Sequence, residues 1–362
     1  MSDIHSSLRD TQKSITLISN AISKTDPDLI VLNGDQVAVK LPGGHFERSV
    51  NKFLEVIDSS NVPFALTFGN HDPEISYPIS QQLSYYQKYP RCLAISGPEE
   101  ITGIGNYNLL IKDSKQEHNI FNLWFVDSGP DSSSFFTAPD QVSWYTSKSR
   151  ELNSQNNGRP LPSLWFQHRP IPEVYQTMLI NSDFPHTTTA ISKGNYFGSF
   201  LSLNPELKYD PTGLFFEGPD VAFGSEYENG LYEAWLNNGD VIAAFFGHNH
   251  GDSFFGYTKD GIGIGFDSSA GFVGSYEFPG MDRGCRVIDI DERDTNHIDT
   301  RMLYYGEIVE DAEIGFLTKV GTYGGFNSAL AFLRKCLFPS CLQKKLGNKL
   351  MVFLKTKFGP SN

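Results

Sequence analysis

The short segment at residues 69–72, which reads Gly-Asn-His-Asp, has the side chains in this sequence that point most directly to chemistry. It follows residues 63–68, an apolar run with the length and composition of a buried strand. A glycine after such a strand permits a tight turn. We therefore expect an amide, an imidazole and a carboxylate to lie together at one edge of a sheet, where they would suit a metal ion.

Four other segments place acidic or imidazole side chains in similar positions. Three of them follow apolar runs at residues 29–33, 163–167 and 241–246, and the fourth is the chain start. In open α/β sheets, ligands lie outside the carboxyl ends of the strands, so we expect these side chains to converge. The seven candidate metal ligands are Asp3, His5, Asp35, Asn70, His168, His248 and His250.

The candidate ligands are carboxylate, amide and imidazole groups without a thiolate. This donor set suits Mn, Fe, Zn or Mg. Seven ligands are too many for one ion, so they indicate two divalent or trivalent ions, with Asp35 as the natural bridging carboxylate. Two ions about 3.5–4 Å apart polarise a phosphoryl oxygen, lower the pKa of a bridging water and clamp both sides of an in-line displacement. The predicted reaction is hydrolysis of a phosphate ester.

Three residues beside the ligands are candidates for other roles. His71 follows Asn70 directly, and adjacent residues at a strand end face different directions. We therefore predict that His71 protonates a leaving alkoxide, with Asp72 as its orienting partner. For Arg169 two interpretations stay open: its guanidinium binds the substrate phosphate, or it forms a salt bridge with Glu173.

Hydrophobic periodicity predicts the elements that position these residues. Residues 8–24 and 46–60 have apolar side chains at helical spacing, and each lies between two predicted strands. The resulting βαβαβ order predicts a parallel sheet. Residues 107–111 and 121–126 are two further predicted strands. Residues 176–224 show little periodicity and are expected to form a long excursion over one end of the sheet.

Three short segments after His250 are punctuated by glycine and predict antiparallel hairpins of a second sheet. They are residues 253–257, 262–266 and 286–290. The run Gly-Ile-Gly-Ile-Gly at residues 261–265 partly matches a nucleotide-binding loop. Phe266 occupies the place of the third glycine, however, and no helix signal follows. We interpret this run as a glycine-rich strand.

Composition excludes several classes of protein. The 362-residue chain has a net charge of −13, which argues against a nucleic-acid partner. Its four cysteines match no zinc or redox signature. It has no run of about eighteen apolar residues, no signal peptide at its start and no Asn-x-Ser/Thr acceptor. These features favour a cytoplasmic location, and they leave the oligomeric state open.

The charge distribution divides the chain. Glu313 is the last acidic residue, and eight Lys and Arg residues follow it. We therefore predict a catalytic domain over residues 1–313 and a basic tail over residues 314–362. In the tail, leucines at i, i+4 spacing over residues 342–358 predict a basic amphipathic helix. This helix either packs on the acidic domain, which is the commoner fate, or makes a peripheral contact with an anionic membrane surface.

The ordered motifs of this sequence resemble the signature of the calcineurin-like metallophosphoesterases over roughly residues 2–290. The matching motifs are Asp3-x-His5, Gly34-Asp35, Gly69-Asn70-His71-Asp72, His168 and Gly247-His248-x-His250. The resemblance implies an α/β fold, a four-layer αββα sandwich of two mixed sheets. It also implies that His71 is catalytic and that two metals are bound. One would be held by Asp3, His5, Asp35 and His250, and the other by Asp35, Asn70, His168 and His248.

Two further segments, residues 103–109 and 167–173, resemble the single-domain, purple-acid-phosphatase-like subgroup of plants and fungi. The true purple enzymes have a Tyr ligand three positions after the bridging Asp, where this chain has Ala38. We therefore expect no tyrosinate-to-iron colour. The family also has an apolar strand before Asp-x-His, whereas only Met1 and Ser2 precede Asp3. We expect a truncated or misplaced start, and a longer native chain could carry a signal peptide.

The predicted function is a dinuclear metal-dependent phosphatase that acts on phosphomonoesters of small molecules or phosphoproteins. A metal-bridging hydroxide would attack, with His71 as general acid. The first alternative is a phosphodiesterase or nuclease of the same fold, although the acidic surface disfavours long nucleic acids. The second is a non-catalytic scaffold, which would be expected to have lost His71 or a ligand.

Overall fold

The computed structural model describes residues 1–312 except residues 8–10, 39–44, 131–136, 183–188, 192–199, 211–229, 273–281 and 311. The predicted helix at residues 342–358 lies outside the described residues, as do Cys336 and Cys341. The domain boundary at residue 313 therefore stays a prediction. None of the described helices is both long enough and apolar enough to cross a membrane.

The larger sheet has six strands. They are β3 (Tyr107–Lys112), β4 (Asn119–Val126), β5 (Ser163–Gln167), β9 (Val241–Phe246), β10 (Phe255–Tyr257) and β11 (Gly263–Phe266). Their order across the sheet is β10-β11-β9-β5-β4-β3. The four inner strands are parallel, and the two edge strands are antiparallel to their neighbours. The sheet is therefore mixed, and the carboxyl ends of its parallel strands open on one side.

A second, smaller sheet forms around β1 (Ile30–Asn33) and β2 (Phe64–Thr67), which pair in parallel as predicted. The first residues of the chain add to β1, since the Asn33 amide donates to the Met1 carbonyl at 2.8 Å. On the other side, Ser2 forms a parallel bridge with Ser269. The residues before Asp3 thus occupy the position of a strand.

Helices cover the outer faces of the two sheets. They are α1 (Gln12–Thr25), α2 (Phe46–Ser59), α3 (Ile79–Tyr86), α4 (Pro139–Gln155), α5 (Pro172–Met178), α6 (Leu231–Asn238) and α7 (Tyr305–Ile308). Along β4, Phe125 packs in a core with α1, α2, β1 and β2. Its neighbour Trp124 points to the other face, into a core with α4, α5 and α6. This alternation yields the predicted four-layer sandwich.

One prediction about the second half of the chain was wrong, and the excursion predicted at residues 176–224 has more secondary structure than expected. The β10–β11 hairpin joins the larger sheet, because β11 pairs in parallel with β9. The irregular excursion contains a three-stranded antiparallel sheet of β6 (Leu179–Ser182), β7 (Thr189–Ile191) and β8 (Phe200–Leu203). Both outcomes depend on which strands pair with one another. The sequence of a short strand contains little information about its pairing partner.

The remaining predicted strand, at residues 286–290, is present with a partner that the prediction missed. It corresponds to β12 (Gly284–Ile290), which pairs antiparallel with β13 (Ile298–Tyr304). The glycine-rich run is a strand, as predicted, because β11 occupies its second half.

Candidate metal centre

The predicted ligands meet beside the carboxyl ends of β1, β2, β5 and β9. Two groups of three have ligand atoms within 4.8 Å of one another: Asp3, His5 and His250, and Asp3, Asp35 and His168. Asn70 and His248 form a pair next to them, with Asn70 Oδ1 2.9 Å from His248 Nδ1. The His248 ring centroid lies 5.6 Å from that of His168. All seven predicted ligands are therefore neighbours in space, although their role as ligands stays a prediction.

Separations within the cluster match those between ligands of a shared ion. Asp3 Oδ1 lies 3.2 Å from His250 Nε2, and His5 Nε2 lies 3.3 Å from the same nitrogen. Asp35 Oδ2 lies 3.2 Å from His168 Nε2. Ligand atoms at about 2.0–2.2 Å from one ion have separations of this size. The residues present therefore fit a metal site.

The cluster differs in one respect from the predicted arrangement around Asp35. The two groups of three share Asp3, whose Oδ1 lies 3.7 Å from His168 Nε2 and 3.8 Å from His5 Nε2. Asp35 Oδ2 also reaches toward both groups, since it lies 3.8 Å from His5 Nε2. Both carboxylates are thus placed between the groups, and Asp35 as the bridging ligand stays a prediction.

Several buried polar atoms of the cluster have only ion-pair contacts with one another. Asp3 Oδ1, Asp35 Oδ2 and His168 Nε2 are buried and have no hydrogen bond within the described part of the chain. A buried polar atom without a hydrogen bond costs about 1–3 kcal/mol, and more when it is charged. A bound cation would satisfy these atoms together.

The electrostatics of the cluster also favour a cation. Burial alone would raise the pKa of Asp3, but the charges of His168 and His250 outweigh it and hold that pKa below its ordinary value. The pKa of Asp35 is likewise lowered, against burial, mainly by His168. Burial would lower the pKa of His168, yet Asp35 and Asp3 raise it to about 10. The two buried carboxylates are therefore ionised, and their negative charge favours the binding of a cation at this cluster.

His5 behaves differently, since burial lowers its pKa to about 3 despite the nearby Asp35. A neutral imidazole has the free lone pair that a metal requires. His5 is therefore in the protonation state of a ligand over the physiological range.

Strained backbone accompanies the cluster. Eight non-glycine residues among those described have a positive φ, and four of them are predicted ligands. These four are Asp3 (φ 52°), His5 (φ 43°), Asp35 (φ 53°) and His248 (φ 67°). Such conformations cost energy and collect at functional sites. Their concentration here is independent support for a functional centre.

Asp72 has a role different from the one predicted. Its Oδ2 accepts the backbone amides of Asp35 at 3.0 Å and of Gly69 at 2.8 Å. The Asp72 carboxylate therefore joins the loop after β1 to the loop after β2, and it is not the orienting partner of His71. Burial and the charge of Asp35 raise the Asp72 pKa to about 8.

His71 lies at the edge of the cluster, as predicted for a residue that does not bind metal. Its side chain is 22% exposed, and its ring centroid lies 6.0 Å from that of His5. The carboxylate beside it is Glu74, whose Oε2 lies 3.2 Å from His71 Nδ1. Sequence reasoning missed Glu74, although its position three residues after His71 was a usable signal.

Arg169, which was considered for substrate binding, is buried, and so are Arg283 and Arg286. Arg169 is 4% exposed, and its Nη1 donates to the Pro130 carbonyl at 3.0 Å. Arg283 donates to Ser269 Oγ at 2.7 Å, and Arg286 donates to the carbonyls of Ser253 and Phe266. In these hydrogen bonds the guanidinium groups contact other parts of the protein. A role of Arg169 in binding substrate stays a prediction.

Asp127 caps the turn that follows β4. Its Oδ1 accepts the Gly129 amide at 2.9 Å, and its Oδ2 accepts the Ile104 amide at 3.0 Å. Sequence reasoning missed Asn249, which lies between two predicted ligands. Its Nδ2 donates to Tyr175 Oη and to Asp252 Oδ2, at 3.0 and 2.8 Å. That buried network holds the loop after β9.

This fold carries a cluster of side chains that could hold metal ions, and residues 1–252 match the calcineurin-like phosphoesterase family. The chain belongs to that family. Among its relatives is the Arabidopsis thaliana protein named probable inactive purple acid phosphatase 29. It is 29% identical over 294 residues, which are 76% of this chain and 67% of the relative.

Two further comparisons are more distant. The Arabidopsis thaliana protein named probable inactive purple acid phosphatase 14 is 23% identical over 345 residues, 83% of this chain and 78% of the relative. The solved structure of TT1561 from Thermus thermophilus aligns with a TM-score of 0.40 at 10% identity. The alignment covers 80% of this chain and 93% of that one.

Proposed function

We propose that this chain is a dinuclear metal-dependent phosphatase that hydrolyses phosphomonoesters of small molecules or phosphoproteins. One observation carries the proposal: two groups of buried ligand atoms share a carboxylate, beside a half-buried histidine. A scaffold without catalysis has no need for His71 at this position. Membership of the calcineurin-like phosphoesterase family supports the same class of reaction.

The roles of the residues follow from their burial. Asp3, Asp35 and His168 are buried, so they would hold metal, together with His5, Asn70, His248 and His250. Bound ions of Mn, Fe, Zn or Mg would polarise a phosphoryl oxygen and lower the pKa of a water. His71 is more exposed than the buried ligands, so it is accessible to a substrate. It donates a proton to the oxygen of the leaving alcohol.

A non-catalytic scaffold is the second candidate, and the names of the Arabidopsis relatives favour it, since both read "probable inactive". Against it, this chain has all seven predicted ligands and His71, and the structure brings them together. Strained backbone costs stability and is kept where it serves a function. A scaffold that had lost its activity would have no such reason to keep it at four predicted ligand positions.

The test is hydrolysis of para-nitrophenyl phosphate and bis-para-nitrophenyl phosphate by metal-free protein reconstituted separately with Mn, Zn, Fe or Mg. We expect faster turnover of the monoester, and His71→Gln should lower turnover of phenyl phosphate, whose poor leaving group depends on protonation, by about 10²-fold or more while bound metal is unchanged. His297→Gln, at an exposed histidine, is the control. Preference for the diester would favour a phosphodiesterase, and inactivity with every metal would favour a scaffold.

A further inference from the structure

An apolar groove lies at the end of the larger sheet opposite to the candidate metal centre. Strands β9 and β11 begin at this groove, whereas the predicted ligands follow the carboxyl ends of the strands. The groove has a volume of about 220 Å³, and its apolar lining includes Trp235, Leu236, Ile242, Tyr257, Ile262 and Ile298. The groove is therefore separate from the site of the proposed phosphatase reaction.

Two large apolar side chains of the groove are exposed to solvent. Leu236 is 41% exposed and Tyr257 is 38% exposed, whereas Trp235 and Ile262 beneath them are buried. Apolar surface that stays in contact with water costs free energy, and contiguous exposed patches mark binding surfaces. The groove therefore has the character of a docking surface for an apolar segment.

The β12–β13 hairpin forms an acidic surface next to the apolar groove. Ile298 lines both of them, so the two surfaces are continuous. Of the nine residues that line the acidic surface, Arg293 is basic and five are Asp or Glu. The five are Asp289, Asp291, Glu292, Asp294 and Asp299. Asp260 adds a carboxylate to the groove itself. A segment that fits both surfaces is therefore apolar on one face and basic beside it.

Two of these carboxylates lie directly opposite each other. Asp289 pairs with Asp299 across β12 and β13, and like charges in such positions are destabilising. Arg301 compensates Asp289, with its Nη1 2.6 Å from Oδ2. Asp299 has no salt bridge among the described residues. It lies close enough to the groove that its charge, after burial, contributes to a raised pKa of Tyr257. Positive charge from a docked segment would offset this repulsion.

We propose that the basic tail of this chain docks in the groove, through the helix predicted at residues 342–358. This segment lies outside the described residues, and its sequence carries both features that the groove requires. Its apolar stripe consists of Leu342, Leu346, Leu350, Leu354 and Phe358. Its basic side chains are Lys344, Lys345, Lys349, Lys355 and Lys357, and no acidic residue follows Glu313.

The two kinds of contact have different roles. Exposed ion pairs contribute little to affinity, so the apolar stripe provides most of the binding free energy when it covers Leu236 and Tyr257. The lysines face the carboxylates of the hairpin and determine how the helix is oriented. An anionic membrane surface would accept the same helix, but it would leave the groove and the acidic surface without a partner.

The length of the chain permits this contact. The last part of the described chain is held on α1, since Asn20 Nδ2 donates to the Ile308 carbonyl at 2.9 Å. It follows β13, a strand of seven residues that begins at the groove with Ile298 and is about 24 Å long. Residues 313–341 connect it to the predicted helix. A chain of this length spans about 30 Å even as a random coil, so the helix can return to the groove.

The first test maps the contact in the full chain with a carbodiimide, which joins a carboxylate to a lysine amine when the two are in contact. We expect cross-links from the tail lysines to Asp260 and Asp299. Glu55, an exposed carboxylate of α2, is the control and should give none. A mixture of ¹⁴N-labelled and ¹⁵N-labelled chains distinguishes contacts within one chain from contacts between copies. Cross-links to all three carboxylates alike, or only between copies, would overturn the proposal.

The second test uses two leucines with nearly equal exposure. Leu236 lies in the groove, and Leu110, which is 40% exposed, lies on the edge strand β3. Docking should slow the cleavage of the tail by trypsin after its lysines. We expect Leu236→Ser to raise the rate of this cleavage about 10-fold and Leu110→Ser to leave it unchanged. Circular dichroism checks that both variants are folded. The same cleavage rate in both variants would overturn the proposal.

A third measurement separates the groove from a membrane. The cross-linking is repeated with vesicles that contain phosphatidylserine, followed by sedimentation. We expect the cross-links to Asp260 and Asp299 to persist and the chain to stay in the supernatant. A chain that sediments with the vesicles and loses these cross-links would assign the helix to the membrane surface, and it would overturn the proposal. None of the three measurements depends on phosphatase activity.

Discussion

At the scale of single residues, the centre is made of groups that are costly to bury. Asp3 and Asp35 are buried and ionised, and each has an oxygen without a hydrogen bond among the described residues. Positive charge is the natural compensation for such groups. In the protein alone it comes from His168, whose pKa is raised to about 10, with burial opposing and Asp35 and Asp3 dominating. A metal ion would take over that role.

Replacing Asp35 tests this compensation directly. We expect Asp35→Asn to bind at least one metal ion fewer per chain than the wild type, because the carboxylate that lies between the two ligand groups becomes neutral. Metal content after desalting, measured by mass spectrometry, checks the prediction. Asp289→Asn, at an exposed carboxylate paired with Arg301, should keep full metal content. Equal content in both variants would contradict it.

Two variants of Asp72 measure what its hydrogen bonds to two backbone amides contribute to stability. Asp72→Asn keeps an acceptor for the amides of Asp35 and Gly69, whereas Asp72→Ala leaves both buried amides without one. We expect the alanine variant to lose about 2 kcal/mol of unfolding free energy and the asparagine variant less than about 1 kcal/mol. Urea unfolding of the metal-free proteins measures both. Equal losses would contradict the conclusion that these hydrogen bonds stabilise the two loops.

At the scale of elements, the candidate ligands lie just after the ends of strands. The glycines that follow β1 and β2 allow these loops and the His168 ring to approach one another closely. Gly69 follows β2, and a Cβ at that position would overlap Asp35 Oδ1. Gly34 follows β1 with φ 87°, and a Cβ there would overlap the His168 ring. These glycines are needed because two loops and a histidine meet with no room for a methyl group.

We therefore expect Gly69→Ala to disrupt the centre while the sheets remain. The added methyl group displaces Asp35, so bound metal and phosphatase activity should both fall about 10-fold or more. Metal content and circular dichroism together measure this outcome. The control is Gly158→Ala: alanine is strained at its φ of 74°, but a Cβ there meets no atom within 4 Å, so this variant shows the cost of a substituted glycine without the overlap. A Gly69→Ala protein with normal metal content would contradict the prediction.

The larger sheet has a second buried polar cluster, before the first residue of β9. Asp240 accepts hydrogen bonds from Tyr145 Oη at 2.6 Å, and from Trp124 Nε1 and Ser163 Oγ at 3.1 Å each. We expect Asp240→Ala to cost about 3 kcal/mol of unfolding free energy, because three buried donors lose this acceptor. Tyr145→Phe removes one donor and should cost about 1 kcal/mol. Urea unfolding measures both losses, and unchanged metal content would show that this cluster serves the fold alone.

At the scale of the whole molecule, the centre joins parts of the chain that are far apart in sequence. Its predicted ligands include residues 3 and 5 at the start of the chain and residues 248 and 250, more than 240 positions later. An ion bound by all of them stabilises the folded state, since the unfolded chain does not assemble the site.

Metal removal should therefore lower the thermal stability of the whole domain. At a free metal concentration of 100 times the Kd, the linkage amounts to about 2.7 kcal/mol, so we expect Tm to fall by several degrees in EDTA. Scanning fluorimetry with and without EDTA measures the change. The shift should shrink in Asp35→Asn, and an equal shift in both proteins would assign the effect to ions bound elsewhere.

The sequence by itself determined the class of fold and the set of candidate ligands. Apolar runs that end in glycine, asparagine, aspartate or histidine are local features, and the carboxyl ends of parallel strands always lie along one edge. That is why residues as distant as Asp3 and His250 were predicted to be neighbours, and they are.

Only the tertiary structure decided what depends on contacts between distant segments or on the direction of a side chain. Arg169 stands beside a predicted ligand in the sequence, but the fold turns its guanidinium toward the Pro130 carbonyl. The β10–β11 hairpin belongs to the larger sheet, because β11 pairs in parallel with β9. Glu74 meets His71, and Asp72 does not, because a 3₁₀ turn superposes side chains three residues apart while Asp72 bonds to two loops. The residue types indicated the kind of chemistry, and tertiary packing determined which of these side chains contact one another.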